Sequence, residues 1–318
     1  MRYLVDLSIS IVSFNTIDLL SNCLASIFEH TTDISFEVLV VDNASQDGTP
    51  GMVMRNYPQV KLIVNQKNLG FAAANNQALR ESVGRYVLLL NSDTIVLPNA
   101  LTKLVNFMDA EPDIGALGCK LLNPDGSLQR SCRSFPTLQT EFFGKSGLNR
   151  LFPKSRLFGK YKMTYWDFDD LQEVDQPSGA CLLVRRDAID EVDLMDETFF
   201  MYWEDVDWCY RIKQANWKIY YTPAVEIIHL GGQSSKKARS DMLVARQKSQ
   251  YHFFRKHYRC FSAQVLRLMT LLEMPGKFVL WTLIFFFKND RRMEAKERLV
   301  AYREIFRLSL FDRNYVGI

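Results

Sequence analysis

The stretch LSISIVSF, residues 7–14, is an apolar run that stops at Asn15, and the way it stops decides how the chain is read. The same design returns at Glu37–Val41, which ends at Asp42-Asn43, and at Arg85–Leu90, which ends at Asn91-Ser92-Asp93. Each reads as a buried strand that turns polar at its carboxyl end. Between the first two lies TIDLLSNCLASIFEH, residues 16–30, where Ile17, Leu20, Cys23, Leu24, Ile27 and Phe28 keep helical spacing and Asn15 or Thr16 is placed to cap the start. This is a βαβ unit. A second helical stretch, Gly70–Ser82, separates the second and third strands, with a weaker strand at Lys61–Asn65 before it. The sheet is expected to be parallel at its centre. Ligands of open α/β sheets sit beyond the carboxyl ends of the strands, so Asn15, Asp42 and Asp93 are expected to converge on one crevice.

With 318 residues, 47% hydrophobic and 24% charged, and no biased tract or repeat, the chain reads as ordered and globular, with two compact units as the ceiling. Its cysteines, at 23, 119, 132, 181, 209 and 260, form no C-x-x-C pair and no zinc-like spacing, which suits a reducing compartment. The start, MRYLVDLSISIVSFN, carries Asp6 within its apolar stretch and lacks a cleavage pattern, so it reads as a first strand and a cytoplasmic location is expected.

Residues 123–175 carry Pro, Gly, Ser and scattered aromatics and suggest long loops or a flap over the crevice. Regular pattern returns in VDQPSGACLLVRRDAI, a strand followed by a helix start, and again in WKIYYTP and AVEIIHLGG. Two domains are expected, 1–235 catalytic and 236–318 helical and basic. The formal net charge of +3 hides that division, because residues 236–318 hold 18 Lys and Arg against 7 Asp and Glu. Ser240 opens a helix through Tyr258, followed by the apolar segment Phe278–Phe287. Ten residues are too few to span a bilayer, and Arg267, Glu273 and Lys277 interrupt a longer reading. Trp281 and the phenylalanines, rimmed by Lys277, Lys288, Arg291 and Arg292, suggest an interfacial anchor across residues 265–292 that meets anionic lipid. The alternative is a buried helix. Lipid is preferred to nucleic acid as the partner of this tail.

Asp93 follows the most hydrophobic strand, where a carboxylate is costly unless a cation compensates it. Mg2+ or Mn2+ takes oxygen ligands, often one or two carboxylates plus substrate phosphates. The plainer reading is a turn or cap. Asp42 beside Asn15 offers an acceptor and a donor to the edge of a planar base. Glu204-Asp205 lies within FFMYWEDVDWCYR, residues 199–211, where the three acids at 204, 205 and 207 stand amid six aromatics. These acids cap a helix, with Arg211 paired to an acid one turn back, and the same helix start suits an anionic substrate. His229 ends EIIH and precedes Gly231-Gly232 and Ser234, leaving a structural role and a metal or phosphate role both open.

In order along residues 7–235, the segments ISIVSFN, VVDNASQDGT, NLGFAAANNQAL, YVLLLNSDTIV, PSGACLLVRRDAI, DETFFMYWEDVDWCYR and IIHLGG resemble the family 2 glycosyltransferases of the GT-A fold, especially bacterial rhamnosyltransferase-like members. The resemblance implies an α/β, Rossmann-like, mostly parallel sheet flanked by helices, with a C-terminal helical extension. It implies that Ser13, Asn15 and Asp42 hold the nucleotide base, with Gly70 and Phe71 shaping the pocket. Asn91-Ser92-Asp93 stands at the DXD-type motif, with Asn in place of the first acid and His229 as a second metal ligand. Asp205 matches the general base, with Glu204 beside it; Trp208 to Arg211 matches the motif after the base, and Gly179-Ala180 the lining of the sugar site. Transfer would be inverting and use Mg2+ or Mn2+, with dTDP-rhamnose favoured over UDP-sugars and a glycan or polyprenyl-linked acceptor, at the inner face of the cell membrane.

A sugar nucleotidyltransferase is disfavoured because SFNTIDLL lacks a Gly-rich basic loop after the first strand, and a dinucleotide oxidoreductase because no G-x-G-x-x-G follows it. A non-catalytic sugar-nucleotide-binding subunit remains the alternative of another class, although both Asp93 and Asp205 are present.

Overall fold

The computed structural model describes residues 3–231 and 239–311. They form two compact units: Met1–Phe135, Trp166–Phe200 and Glu204–Ser234 make the first, and Pro136–Tyr165, Met201–Trp203 and Ser235–Ile318 the second. The division groups residues 136–165 with the C-terminal region, and the expected boundary at 235 lies outside the described residues, as do Gly232 and Ser234.

The first unit is built on a sheet of β1 (Val5–Ser13), β2 (Phe36–Asp42), β3 (Lys61–Val64), β4 (Gly84–Leu90), β5 (Thr94–Val96), β6 (Ile114–Leu122), β11 (Cys181–Arg185) and β12 (Lys218–His229). Two short strands, β7 (Leu128–Gln129) and β9 (Gln172–Glu173), extend it, while β8 (Cys132–Arg133) and β10 (Gln176–Pro177) pair separately. The main order is β3-β2-β1-β4-β11-β6-β12-β5. The block β3-β2-β1-β4 is parallel, as expected; β11 runs against both of its neighbours, β12 is parallel to β6, and β5 is antiparallel to β12. This is the anticipated α/β architecture, parallel at its centre and mixed beyond β4.

Helices α1 (Ile17–His30), α2 (Thr49–Asn56), α3 (Phe71–Glu81), α4 (Ala100–Ala110), α7 (Arg186–Val192) and α8 (Glu204–Gln214) complete the unit. β1 shows why its two faces take different partners. Leu7, Ile9 and Ile11 pack into the core that includes Leu20, Cys23, Leu24 and Ile27 of α1. Ser8 and Ser10 face the other way and are buried, so their hydroxyls need partners, found at Glu37 Oε1 (2.6 Å) and at Asn75 Oδ1 of α3 (2.8 Å).

The cap expected for α1 is different. Neither Asn15 nor Thr16 caps with its side chain; Asp47 Oδ2 from the following loop accepts from Ile17 N at 3.0 Å. Thr16 is drawn away because its hydroxyl lies against those of Ser13 (2.9 Å) and Ser92 (3.2 Å).

The second unit holds α5 (Leu138–Ser146), α6 (Leu148–Leu151), α9 (Arg239–Phe287) and α10 (Arg292–Phe311). Helical structure thus occupies part of the 123–175 stretch expected to be loop. α9 breaks at Arg259, whose φ is 71°, so its first segment ends at Tyr258. Met274 and Trp281 of α9 pack on Ala295, Tyr302 and Ile305 of α10. Trp281 is therefore only 8% exposed and lies under the guanidinium groups of Arg298 (4.4 Å) and Arg291 (5.1 Å), which takes it off the free face where it was expected. The exposed apolar residues of α9 include Leu268, Leu272, Val279, Leu283, Phe286 and Phe287. α9 also contains an 18-residue window apolar enough, by length and composition, to cross a membrane, where Phe278–Phe287 alone is too short.

Candidate active site

β1 and β2 pair so that Ser13 stands opposite Asp42, which brings the first two polar strand ends together. Asp42 is fully buried; its Oδ2 accepts from Ser45 N at 3.0 Å, and its Oδ1 has no partner among the described residues. An orphaned acceptor oxygen in a buried strand end is costly unless a ligand N–H completes it. Asn15, at φ 54°, braces the loop that frames this carboxylate: its Oδ1 accepts from Gln46 N (2.8 Å) and its N–H donates to Ser45 Oγ (2.9 Å).

The next residue, Asn43, is a framework residue the sequence reading passed over. Its amide oxygen accepts from Leu69 N (3.0 Å) and Asn65 Nδ2 (3.2 Å), and its Nδ2 donates to Asn68 Oδ1 (2.9 Å) and Gly70 O (3.1 Å). This ties the Gly70-Phe71 turn to the end of β2. Gly70 has φ 86°, and a Cβ there would stand 2.2 Å from Phe200 O, the same oxygen that accepts from Phe71 N at 2.8 Å. Only glycine fits.

Beyond β4, Asp93 and His229 meet because β5 and β12 pair Thr94 with His229. Asp93 Oδ1 lies 3.2 Å from His229 Nε2. Gln129 fixes the imidazole tautomer: its Nε2 donates to Asn123 Oδ1 (2.9 Å) and His229 O (3.1 Å), leaving its Oε1 to accept from His229 Nδ1 at 2.5 Å. Nε2 then carries a lone pair, which accepts from Asn91 Nδ2 at 3.3 Å and also faces the Asp93 carboxylate. Two electron-rich atoms this close call for a cation or a proton between them, and a carboxylate with an oriented imidazole fits a divalent ion. No set of three or more His, Cys, Asp or Glu side chains is gathered into a metal cage among the described residues. Ser92, the middle residue, is buried against Thr16.

Asp205 is the second residue of α8. Its Oδ2 accepts from Gly179 N (3.0 Å) and Gln176 Nε2 (3.1 Å), and its Oδ1 from Val206 N (2.9 Å). Burial pushes its carboxyl above the ordinary value, against the lowering effect of the Gly179 and Val206 amides and of the Arg133 charge. Glu204 is buried, its Oε2 has no partner among the described residues, and burial together with the Asp205 charge holds its carboxyl well above the usual range. Gly179 lies so close that a Cβ would sit 3.2 Å from Asp205 Oδ2, and the adjoining Ala180 O accepts from Asn91 N at 3.0 Å. Asp205 is thus linked through Gly179-Ala180 and Asn91 to the Asp93–His229 pair.

Two expected site residues point elsewhere. Trp208 is fully buried and its indole N–H donates to Asp193 O at 3.0 Å. Arg211 bonds Asp207 Oδ2 (2.8 Å), the Val192 carbonyl and Leu194 O (2.8 Å). Both hold the turn after α7, because the carbonyls ending that helix need donors. The roles missed in their place, those of Gln129, Gln176 and Asn43, are set by partners on other elements: His229 of β12, Asp205 of α8 and the loop of residues 65–70.

Comparison with known proteins now decides the family, since the profile described as Glycosyl transferase family 2 matches residues 8–192. The chain belongs to glycosyltransferase family 2. This family 2 enzyme is 32% identical over 237 residues to an N-acetylglucosaminyl-diphospho-decaprenol L-rhamnosyltransferase of Mycobacterium tuberculosis, covering 70% of this chain and 75% of that protein. It is 26% identical to the rhamnosyltransferase WbbL of Escherichia coli, over 58% of this chain and 69% of that one. A solved mannosyltransferase of Pyrobaculum calidifontis, in complex with GDP-Man and Mn2+, shares the fold with a TM-score of 0.56 at 17% identity, covering 98% of this chain and 89% of its own. The protein is a rhamnosyltransferase-like glycosyltransferase acting in glycan synthesis.

Proposed function

We propose that the enzyme moves a sugar, rhamnose before other hexoses, from a nucleotide-diphosphate donor to a hydroxyl of a glycan or polyprenyl-linked acceptor, with inversion and with Mg2+ or Mn2+. dTDP-rhamnose is the favoured donor and a UDP-sugar the next. The observation that carries this reading is the bonded link between Asp205 and the Asp93–His229 pair across Gly179-Ala180.

Asp42, with its unpartnered Oδ1, would take an N–H of the base, framed by Ser13, Asn15 and the Gly70-Phe71 turn. Asp93 and His229 would hold the ion, which supplies charge neutralisation at the departing diphosphate. Asp205, held by Gly179 and Gln176, would take the proton of the acceptor hydroxyl as its oxygen attacks the anomeric carbon. Its raised carboxyl makes it a stronger base than an exposed aspartate. Burial and the Asp205 charge hold the Glu204 carboxyl well above the usual range, so Asp205 is the member of the pair suited to act as the base. One base without a second nucleophile favours a single displacement and therefore inversion.

The similarity to a decaprenol-linked rhamnosyltransferase favours a lipid-linked acceptor. The exposed apolar residues of α9 and the basic surplus of residues 236–318 favour a peripheral place at the cytoplasmic face of a membrane, held through residues 265–292. A panel of nucleotide sugars, assayed with a polyprenyl diphosphate-linked N-acetylglucosamine in the presence of Mn2+ or of EDTA, tests the reading. Transfer from dTDP-rhamnose that EDTA abolishes, with an inverted anomeric centre by NMR, is expected. Full activity in EDTA or retention of configuration would overturn it.

A further inference from the structure

Outside the residues assigned so far, one cation stands at the base. β8 and β10 pair antiparallel with Arg133 directly opposite Gln176. Directly opposed residues project to the same face of such a ribbon. Gln176 reaches Asp205 Oδ2 at 3.1 Å, so Arg133 stands on the Asp205 side, while its neighbour Cys132 pairs with Pro177 and is buried on the other. From there the Arg133 charge also works to lower the Asp205 carboxyl against the effect of burial. Arg133 is half-buried and has no carboxylate partner among the described residues. Arg80, Arg85, Arg211 and Arg298, by contrast, are each engaged by an acid.

An unpaired, partly desolvated guanidinium beside a general base suits an anion that arrives with the acceptor. We propose that Arg133 binds the diphosphate of a lipid-linked acceptor and so positions the acceptor sugar's hydroxyl against Asp205. This rests on the acceptor reading above. The other diphosphate in the reaction, that of the donor, is assigned to the Asp93–His229 side. A planar guanidinium forms paired hydrogen bonds to phosphate oxygens, which an ammonium replaces only in charge.

Farnesyl diphosphate binding, measured by calorimetry in EDTA so that no metal bridges the ligand to Asp93, tests the contact directly. Wild type is expected to bind, Arg133→Ala to bind about tenfold or more weakly, and Arg133→Lys to fall between. Equal affinities, or no binding by wild type, would overturn the proposal. Kinetics then separate the two diphosphates. Arg133→Ala is expected to raise KM for polyprenyl diphosphate-linked N-acetylglucosamine, leaving the donor KM and the KM for an alkyl N-acetylglucosaminide unchanged. A rise in donor KM instead, or an equal effect on both acceptors, would assign Arg133 to the donor or to the fold. If wild type transfers to neither acceptor, the acceptor reading fails, and the binding result still decides the role of Arg133.

Discussion

Asp205 and Glu204 are neighbours with opposite tasks, and their surroundings set the difference. Asp205 receives three hydrogen bonds, whereas one oxygen of Glu204 receives none. Asp205→Asn should lower kcat by about 10²–10⁴-fold, the usual weight of a general base, with donor affinity nearly intact. Steady-state rates with donor titration check it, and wild-type turnover would remove the assignment. Because burial raises the Asp205 carboxyl, its ionised form is lost as pH falls through a value above the ordinary 3.8. The acid limb of kcat/KM is therefore expected above the range of an exposed aspartate. Glu204 has a different pH consequence. Its folded-state carboxyl is raised, so the stability it supports is complete below the unfolded value near 4.5 and declines as pH rises toward the folded value. Glu204→Gln should gain Tm over wild type progressively from acid to neutral pH; a constant difference across that range would show that Glu204 is not held neutral.

At the scale of elements, the site is assembled by loops that leave strand ends and are pinned from elsewhere. The Gly70-Phe71 turn is the sharpest case, because Asn43 holds it from β2 and Phe200 closes over it. Gly70→Ala forces a Cβ to within 2.2 Å of Phe200 O at a φ of 86°, so it should cost roughly 2–3 kcal/mol. Denaturant melts measure this, and donor affinity should fall with it. Unchanged stability would mean that the turn yields freely. α8 shows the same dependence: its Trp208 and Arg211 are bonded to the carbonyls of the turn after α7, which ties the helix that carries Asp205 to that turn.

For the molecule as a whole, residues 236–318 bring a surplus of basic residues and the exposed apolar row of Leu268, Leu272, Val279, Leu283 and Phe286. Surface substitutions on that row leave the fold intact to within about 0.5 kcal/mol. Leu272→Asp with Leu283→Asp should therefore release the enzyme from vesicles containing anionic lipid, while transfer to a water-soluble alkyl N-acetylglucosaminide stays near wild type. Cosedimentation is the measurement, and a wild type that stays in the supernatant at low salt would rule out the lipid contact.

The sequence by itself determined the parallel β1, β2 and β4 ends, the helices between them and the acids at 42, 93 and 205, because continuous apolar runs and helical periodicity are local signals. It also carried the family resemblance over residues 7–235. Only the tertiary structure decided that β11 enters against β4, that Asp47 caps α1, and that Gln129 orients His229. It likewise put Trp208 and Arg211 to work on a neighbouring turn, and Trp281 under two arginines. Each of these depends on a hydrogen bond or ring contact between residues far apart in the chain, and a partner that folding brings into place leaves no periodic mark around the residue it joins.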